Sequence, residues 1–181
     1  RHPLTSMNAG MAYLPEDRKN EGIIADLSVR ENLIMALQAK RGMFHLLSRK
    51  QQEEFTDKYI DMLQIKTASR ETPIKSLSGG NQQKVIIGRW LLTNPDFLIL
   101  DEPTRGIDVG AKVEVYNVMN SLVKQGKCVI MVSSEMPEIL GMSDRVIVMR
   151  GGEVMAEVDR DSEHFNQEDL MKAAWGGKLD D

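Results

Sequence analysis

Apolar positions recur along this chain in two rhythms, short continuous runs and helical stripes, and each rhythm predicts its own kind of element. Met11-Ala12-Tyr13-Leu14 reads as a short strand running into the polar, turn-prone stretch Pro15 to Gly22. Ser28-Val29-Arg30-Glu31 has the spacing of a capping box, and Val29, Leu33, Ala36, Leu37 and Lys40 continue it at helical intervals, so a helix starts near Val29. Ser48-Arg49-Lys50-Gln51 repeats the signal, and Phe55, Tyr59, Met62 and Leu63 supply the stripe of a second helix.

Beyond residue 92 the rhythm changes. Phe97-Leu98-Ile99-Leu100 is a strand ending in two acids, Asp101-Glu102; Val113, Tyr116, Met119, Leu122 and Val123 then mark a helix, and Lys127 to Val132 a further strand. A helical turn around Met136 to Leu140 leads to the strand Arg145 to Met149. Continuous apolar strands separated by helices predict a parallel sheet covered on both faces. Gly151-Gly152 predicts a two-residue hairpin turn that ends the sheet antiparallel, because both positions tolerate positive φ. A last helix from about Gln167 to Trp175 stops at Gly176-Gly177. The segments are 1–25, a mostly helical insert at 26–92, an α/β core at 93–160, and a terminal helix with its tail at 161–181.

Composition narrows the classes. With 41% hydrophobic residues over 181 positions the chain can bury one sizeable core, and no apolar run approaches the length of a membrane span. The chain opens Arg1-His2-Pro3 without an initiating Met or a signal-like segment, which reads as a start cut from something longer. A net charge of −4 argues against nucleic acid as a partner. The single cysteine, Cys128, falls in an apolar run and is expected as a buried strand residue, which suits a reducing compartment. The methionines, Met35, Met62, Met119, Met131 and Met149 among them, and Trp90 are expected to fill the core. His2, His45 and His164 have no ligand spacing.

Two stretches carry chemistry. Leu77-Ser78-Gly79-Gly80-Asn81-Gln82-Gln83-Lys84 opens a helix with a serine and two glycines, which exposes amide N–H groups at the positive end of the helix dipole; a simple turn is the alternative. Asp101 and Glu102 stand at the carboxyl end of a strand, where open parallel sheets bind ligands. An Asp there suits Mg²⁺ and a neighbouring acid suits an attacking water, while helix capping and solvation are the plainer reading.

Taken in order, Leu77 to Lys84, Leu98-Ile99-Leu100-Asp101-Glu102-Pro103-Thr104 and Gly106-Ile107-Asp108 resemble the ABC transporter ATPases. The longer wording from Asp101 to Lys112, with Ser133-Ser134-Glu135-Met136-Pro137-Glu138, is similar to the second cassette of bacterial ribose, galactose or xylose importers, and the likeness spans about residues 9 to 176. The resemblance implies a P-loop NTPase-like three-layer α/β fold, incomplete at its start, with an inserted helical subdomain. It implies that Leu77 to Gln83 is the signature motif, Phe97 to Glu102 the Walker B strand, Glu102 the catalytic base, Asp101 the Mg²⁺ ligand through water, and Asp108 the centre of the D-loop. Ser78, Gly79, Gly80 and Gln82 would serve ATP held by a partner cassette. Further implied partners are transmembrane permease subunits at the cytoplasmic face of the membrane and, indirectly, a sugar-binding protein; the insert with its Lys40-to-His45 loop would lie near the permease.

Three departures qualify that transfer. No Gly-x-x-x-x-Gly-Lys-Ser/Thr occurs in the 181 residues, so the chain alone is expected not to grip ATP. The switch histidine is replaced by Ser134, whose hydroxyl cannot carry an imidazole's proton near neutral pH. The Q-loop glutamine is replaced near Pro15 and Glu16, with Glu16 the stand-in. An interaction module completing a partner's ATP site is the alternative from another class; a DNA-associated ABC ATPase fits poorly with the acidic balance and short insert. The Walker B strand is further expected to lack a neighbour and to leave an edge that another copy could pair.

Overall fold

A computed structural model describes residues 2–179. The chain divides into two compact units, Arg1–Val132 and Ser133–Asp181. In chain order the first holds α1 (Pro3–Asn8), β1 (Met11–Leu14), α2 (Val29–Arg41), α3 (Arg49–Met62), α4 (Gly79–Leu91), β2 (Phe97–Asp101), α5 (Val109–Lys124) and β3 (Cys128–Val132).

Both capping boxes form. The Ser28 Oγ accepts from the Glu31 N–H at 3.2 Å while the Glu31 carboxylate accepts from the Ser28 N–H at 2.8 Å, and Ser48 and Gln51 repeat the exchange at the start of α3. Val29, Leu33, Leu63, Ile65, Ile74, Leu77 and Val85 form the core that joins α2, α3 and α4. Arg89, deep in that packing, donates to the carbonyls of Gly22 at 2.6 Å and Asn32 at 2.7 Å. Burial pushes its pKa down to about 10, so it keeps its charge at neutral pH.

The sheet has the order β1-β2-β3, parallel throughout. Register pairs Ala12 with Leu98 and Leu14 with Leu100, and these four line one buried face beside Ile87 and Trp90 of α4. The opposite face, with Tyr13, Ile130 and Val132 about half exposed, is open among the described residues. Two expectations change accordingly. Cys128 shares the open face and is exposed rather than buried. The strand Phe97–Asp101 has neighbours on both sides, so it leaves no edge; the outer sides of β1 and β3 are the edges. Met119 is core as expected, whereas Met62 and Met149 lie 49% and 60% exposed. Trp90 is partly buried.

The second unit holds α6 (Met136–Met142), β4 (Arg145–Arg150), β5 (Glu153–Asp159) and α7 (Gln167–Ala174) around Val146, Val148, Val158, Leu170 and Ala173. The hairpin turn is as expected, with Gly151 and Gly152 at φ 57° and 88°. β4 does not continue the parallel sheet. It pairs with β5 in a separate two-stranded sheet, because the hairpin buries its alternate valines against α7.

A candidate nucleotide site at the strand tips

β1 and β2 run parallel and in register, so the segments after Leu14 and after Leu100 emerge at the same carboxyl edge. Asp101, the last residue of β2, accepts from the Tyr13 hydroxyl at 3.1 Å. Partial burial and the Asp101 carboxylate together raise the Tyr13 pKa, so the phenol stays protonated as a donor.

Glu102 leaves the strand in a left-handed conformation, φ 45°. Its N–H donates to the Val132 carbonyl at 2.8 Å and its carbonyl accepts from the Arg105 N–H at 3.1 Å, so bonds on both sides hold a backbone geometry that costs a non-glycine residue on the order of 1–2 kcal/mol. The backbone turns sharply, half-buried, at the strand tip. Strain of this kind persists where surrounding structure enforces it, and it clusters at functional positions.

Pro15 is buried and Glu16 exposed just beyond β1. Glu16 is ion-paired with Arg105. The stretch read from sequence as a plain loop contains a π-helical turn, Arg18–Gly22, because Asp17 caps it by accepting from the Lys19 and Asn20 N–H groups at 3.1 Å. Those bonds, led by the Asn20 side chain, hold the Asp17 carboxyl below its ordinary range. Glu16, Asp17, Arg18, Lys19 and Arg105 enclose an open hollow of about 410 Å³. A larger cleft, about 540 Å³, lies away from the strand tips between α3, α4 and α5, over the buried Lys84 and its partner Glu114.

The start of α4 at Ser78–Gly80 meets the segment Gly106–Ala111 directly. Ser78 is the exposed N-cap of α4 but makes no capping bond itself; its Oγ accepts from the Asn81 side chain at 2.8 Å, leaving the first-turn N–H groups without a side-chain acceptor from the cap. Gly80 is glycine for a spatial reason: a methyl there would lie 2.4 Å from the Ala111 Cβ. At Gly79 a methyl would lie 3.0 Å from the Arg18 guanidinium, 3.2 Å from the Gly106 carbonyl and 3.3 Å from the Ile107 side chain. Asp108 caps α5, accepting from the Ala111 N–H at 2.9 Å.

Gln82 does not face outward. It is 7% exposed, donates to the Ile74 and Leu77 carbonyls at 3.2 and 3.1 Å, and accepts from Arg18 Nε at 3.1 Å. Arg18 also donates to the Arg105 carbonyl at 3.4 Å. Sequence reading passed over Arg18 and Tyr13, whose partners lie 64 and 88 positions away. Ser134 belongs to the second unit, where it is exposed; its neighbour Ser133 donates to the buried Glu138 carboxylate and accepts from the Glu135 N–H at 3.0 Å.

The donor set at the strand tip is hard oxygen and sparse. Among the described residues no three His, Cys, Asp or Glu side chains gather to hold a metal. One half-buried carboxylate with one neighbour suits Mg²⁺, which keeps several waters and takes further oxygens from a phosphate, better than an ion that needs an all-protein cage.

The sequence profile described as ABC transporter matches residues 2–105. The chain is 52% identical over 158 residues to the galactofuranose transporter ATP-binding protein YtfR of Escherichia coli, covering 87% of this chain and 32% of that protein. It is 47% identical to the ribose import ATP-binding protein RbsA of Bacillus cereus over 97% of this chain and 35% of that one. The chain thus spans about a third of the length of these curated relatives. Among solved structures it superposes with TM-score 0.71 on the ATP-binding cassette MJ0796 in a dimeric post-hydrolysis state bound to ADP and Pi, at 23% identity over 84% of this chain and 63% of that one. The cassette MJ1267 in its ADP conformation gives TM-score 0.71 at 21% identity, covering 97% and 68%.

Proposed function

The chain belongs to the ABC transporter family, and on that premise we propose that it contributes the signature and Walker B side of an ATP site in a sugar-import ATPase. The observation that carries this reading is the junction of α4 and α5. Ser78, Gly79 and Gly80 open a helix whose first turn keeps its N–H groups free of a capping side chain, and they stand directly against the Asp108 cap. Such a helix start attracts phosphate oxygens, and the D-loop beside it is the surface through which a second cassette would be met.

Asp101 would orient water around Mg²⁺, with the Tyr13 hydroxyl holding one carboxylate oxygen in place. Glu102, fixed by its backbone bonds at the strand tip, would accept the proton of the attacking water. Mg-ATP, when bound, supplies the γ-phosphate as the electrophile. Gln82 acts as a positioning residue for the signature loop rather than as a contact to nucleotide. Glu16 at the Q-loop position would report the state of the site through Arg105. Ser134 stands in sequence where the resemblance places the switch histidine. The partners are a second cassette and permease subunits at the cytoplasmic face of the membrane.

Because the sequence contains no Gly-x-x-x-x-Gly-Lys-Ser/Thr, the phosphate grip comes from elsewhere. Equilibrium binding of Mg-ATP to the 181-residue chain, beside a version extended with a cassette segment bearing that loop, tests the reading. The expected result is no retention by the chain alone and clear binding by the extended form. Tight binding by the chain alone overturns the half-site assignment, and absence of binding by both overturns the ATPase reading.

A further inference from the structure

The cleft between α3, α4 and α5, about 540 Å³ in volume, is within the roughly 300–1,000 Å³ that small-molecule sites occupy. Part of its lining is apolar: Leu63, Pro95 and Leu122 are buried, Leu91 and Val118 half-buried. Met62 continues the apolar stripe of α3 yet is 49% exposed, because it borders this gap. Backbone and lysine together fix the rim. Gln64 and Asn94 stand there at φ 51° and 48°. The Gln64 carbonyl accepts from Lys84 at 2.9 Å, and the Asn94 side-chain oxygen accepts from Lys127 at 3.0 Å. The slot is therefore preformed, with its walls tied from within.

The charge of the lining is lopsided. Lys58, Lys66, Lys84 and Lys127 face one acid, Glu114, in a chain whose net charge is −4. Lys84 engages that acid at 2.5 Å, whereas Lys66 reaches it only at 3.6 Å. Lys127 bonds the neutral Asn94 amide, and its nearest carboxylate, Asp96, lies at 3.9 Å, exposed to solvent and outside the cleft. Lys58 forms no ion pair among the described residues. Burial raises the Tyr59 pKa, so the phenol in the wall stays protonated and adds no negative charge. Once Lys84 holds Glu114, three lysines of the lining have no acid of the cleft to themselves.

An apolar slot rimmed by ammonium groups whose own acid is already engaged selects its ligand by charge. A cation would be repelled, and a neutral apolar body would cover the lysines without giving them a counter-charge. A molecule with an apolar body and an acidic group satisfies both parts of the lining. We propose that the α3–α4–α5 cleft binds a small amphiphilic organic anion, its apolar body against Met62, Leu63 and Leu122 and its acidic group at the lysine rim. The cleft lies away from the strand tips, and the inference does not depend on the transporter reading. Occupied, it would tie α3 of the helical insert to α5 of the α/β core.

Two fluorescent probes test it: 1-anilinonaphthalene-8-sulfonate, and N-phenyl-1-naphthylamine, which has the same ring body without the sulfonate. Each is titrated into the 181-residue chain, and two-dimensional amide spectra locate the binding. The sulfonate is expected to bind about tenfold or more tighter than the neutral probe and to shift the amides of Asn117, Ser121 and Gln125. Lys58→Gln with Lys66→Gln should weaken the sulfonate about fivefold per charge and leave the neutral probe unchanged. Asn117→Trp, at an exposed position of α5 that lines the cleft, should block both probes there. These three positions are exposed, so thermal midpoints should match the parent chain. Equal affinity for the two probes, as expected of a slot that takes any apolar group, overturns the proposal. So do amide shifts confined to the open sheet face at Ile130 and Val132, an unchanged sulfonate affinity in the lysine variant, or no binding of either probe.

Discussion

Arg18 donates from Nε to the Gln82 side-chain oxygen at 3.1 Å, and Gln82 in turn holds the carbonyls of Ile74 and Leu77. The segment after β1 is therefore bonded to the residue that holds the turn entering α4. Gln82→Ala would leave two buried carbonyls and the half-buried Arg18 without their partner. It should cost about 1–3 kcal/mol, read from the midpoint of urea unfolding at unchanged m-value. Arg18→Lys keeps the charge but not the fork geometry, and should cost less than Gln82→Ala while loosening the turn from Ile74 to Ser78 as measured by amide exchange.

Glu102 sits at φ 45°. Glycine adopts that backbone without penalty, so Glu102→Gly should stabilise the chain by about 1 kcal/mol in thermal or urea unfolding, while Glu102→Gln should leave the strain in place. In the extended ATP-binding form both substitutions should abolish hydrolysis and preserve binding. Stability and turnover would then move in opposite directions at one position.

Gly80 meets Ala111 with no room for a methyl group. Gly80→Ala should destabilise by about 1–3 kcal/mol, and Ala111→Gly in the same chain should recover part of that loss despite weakening α5. A double-mutant cycle on unfolding free energies checks the coupling; additivity would mean that the two helix starts are not in contact.

Lys84, 1% exposed, donates to the Gln64 carbonyl at 2.9 Å and pairs with Glu114 at 2.5 Å. The Lys84 hydrogen bond is the main cause that holds the Glu114 carboxyl below its ordinary value of 4.5. A carboxyl whose folded pKa is depressed contributes stability that is fully present above the unfolded value and is lost as pH falls through the folded one. As pH falls below 4.5 the parent chain should lose a contribution that Glu114→Gln lacks, so the two stability curves should converge on the acid side. Glu114→Ala leaves a buried ammonium with one acceptor and should cost about 2 kcal/mol at pH 7, discounted because Glu114 is 41% exposed.

The elements that were legible in the sequence are those specified by neighbours in the chain. Ser28 with Glu31 and Ser48 with Gln51 announce α2 and α3 through contacts three residues apart, and Gly151-Gly152 announces the hairpin through its own backbone freedom. The start of α4 at Gly79 and the end of β2 at Asp101 were legible as well, because the glycine pair and the apolar run that mark them lie along the chain. The features that escaped are set across it. The burial of Lys84, the inward turn of Gln82 and the Tyr13 bond to Asp101 depend on which elements pack together. α1 carries only a proline and a His2 cap as signals. The exposure of Cys128 could not be read from its apolar run, because that run does not say which face of the sheet is left open.

The open flank of β3 has a consequence at the level of single amides. The Cys128 N–H donates to the Asp96 carbonyl and the Val132 carbonyl accepts from Glu102, so residues 128, 130 and 132 direct their backbone groups toward β2. Strand alternation then turns the N–H groups of Val129 and Met131 the other way, toward the side on which β3 has no partner among the described residues. Deuterium uptake along this strand should therefore alternate, slow at 128, 130 and 132 and fast at 129 and 131. Any chain that lays a further strand along this flank would erase the alternation by slowing those two amides alone, so two adjacent-but-one residues act as a built-in counter of whether the sheet has been extended.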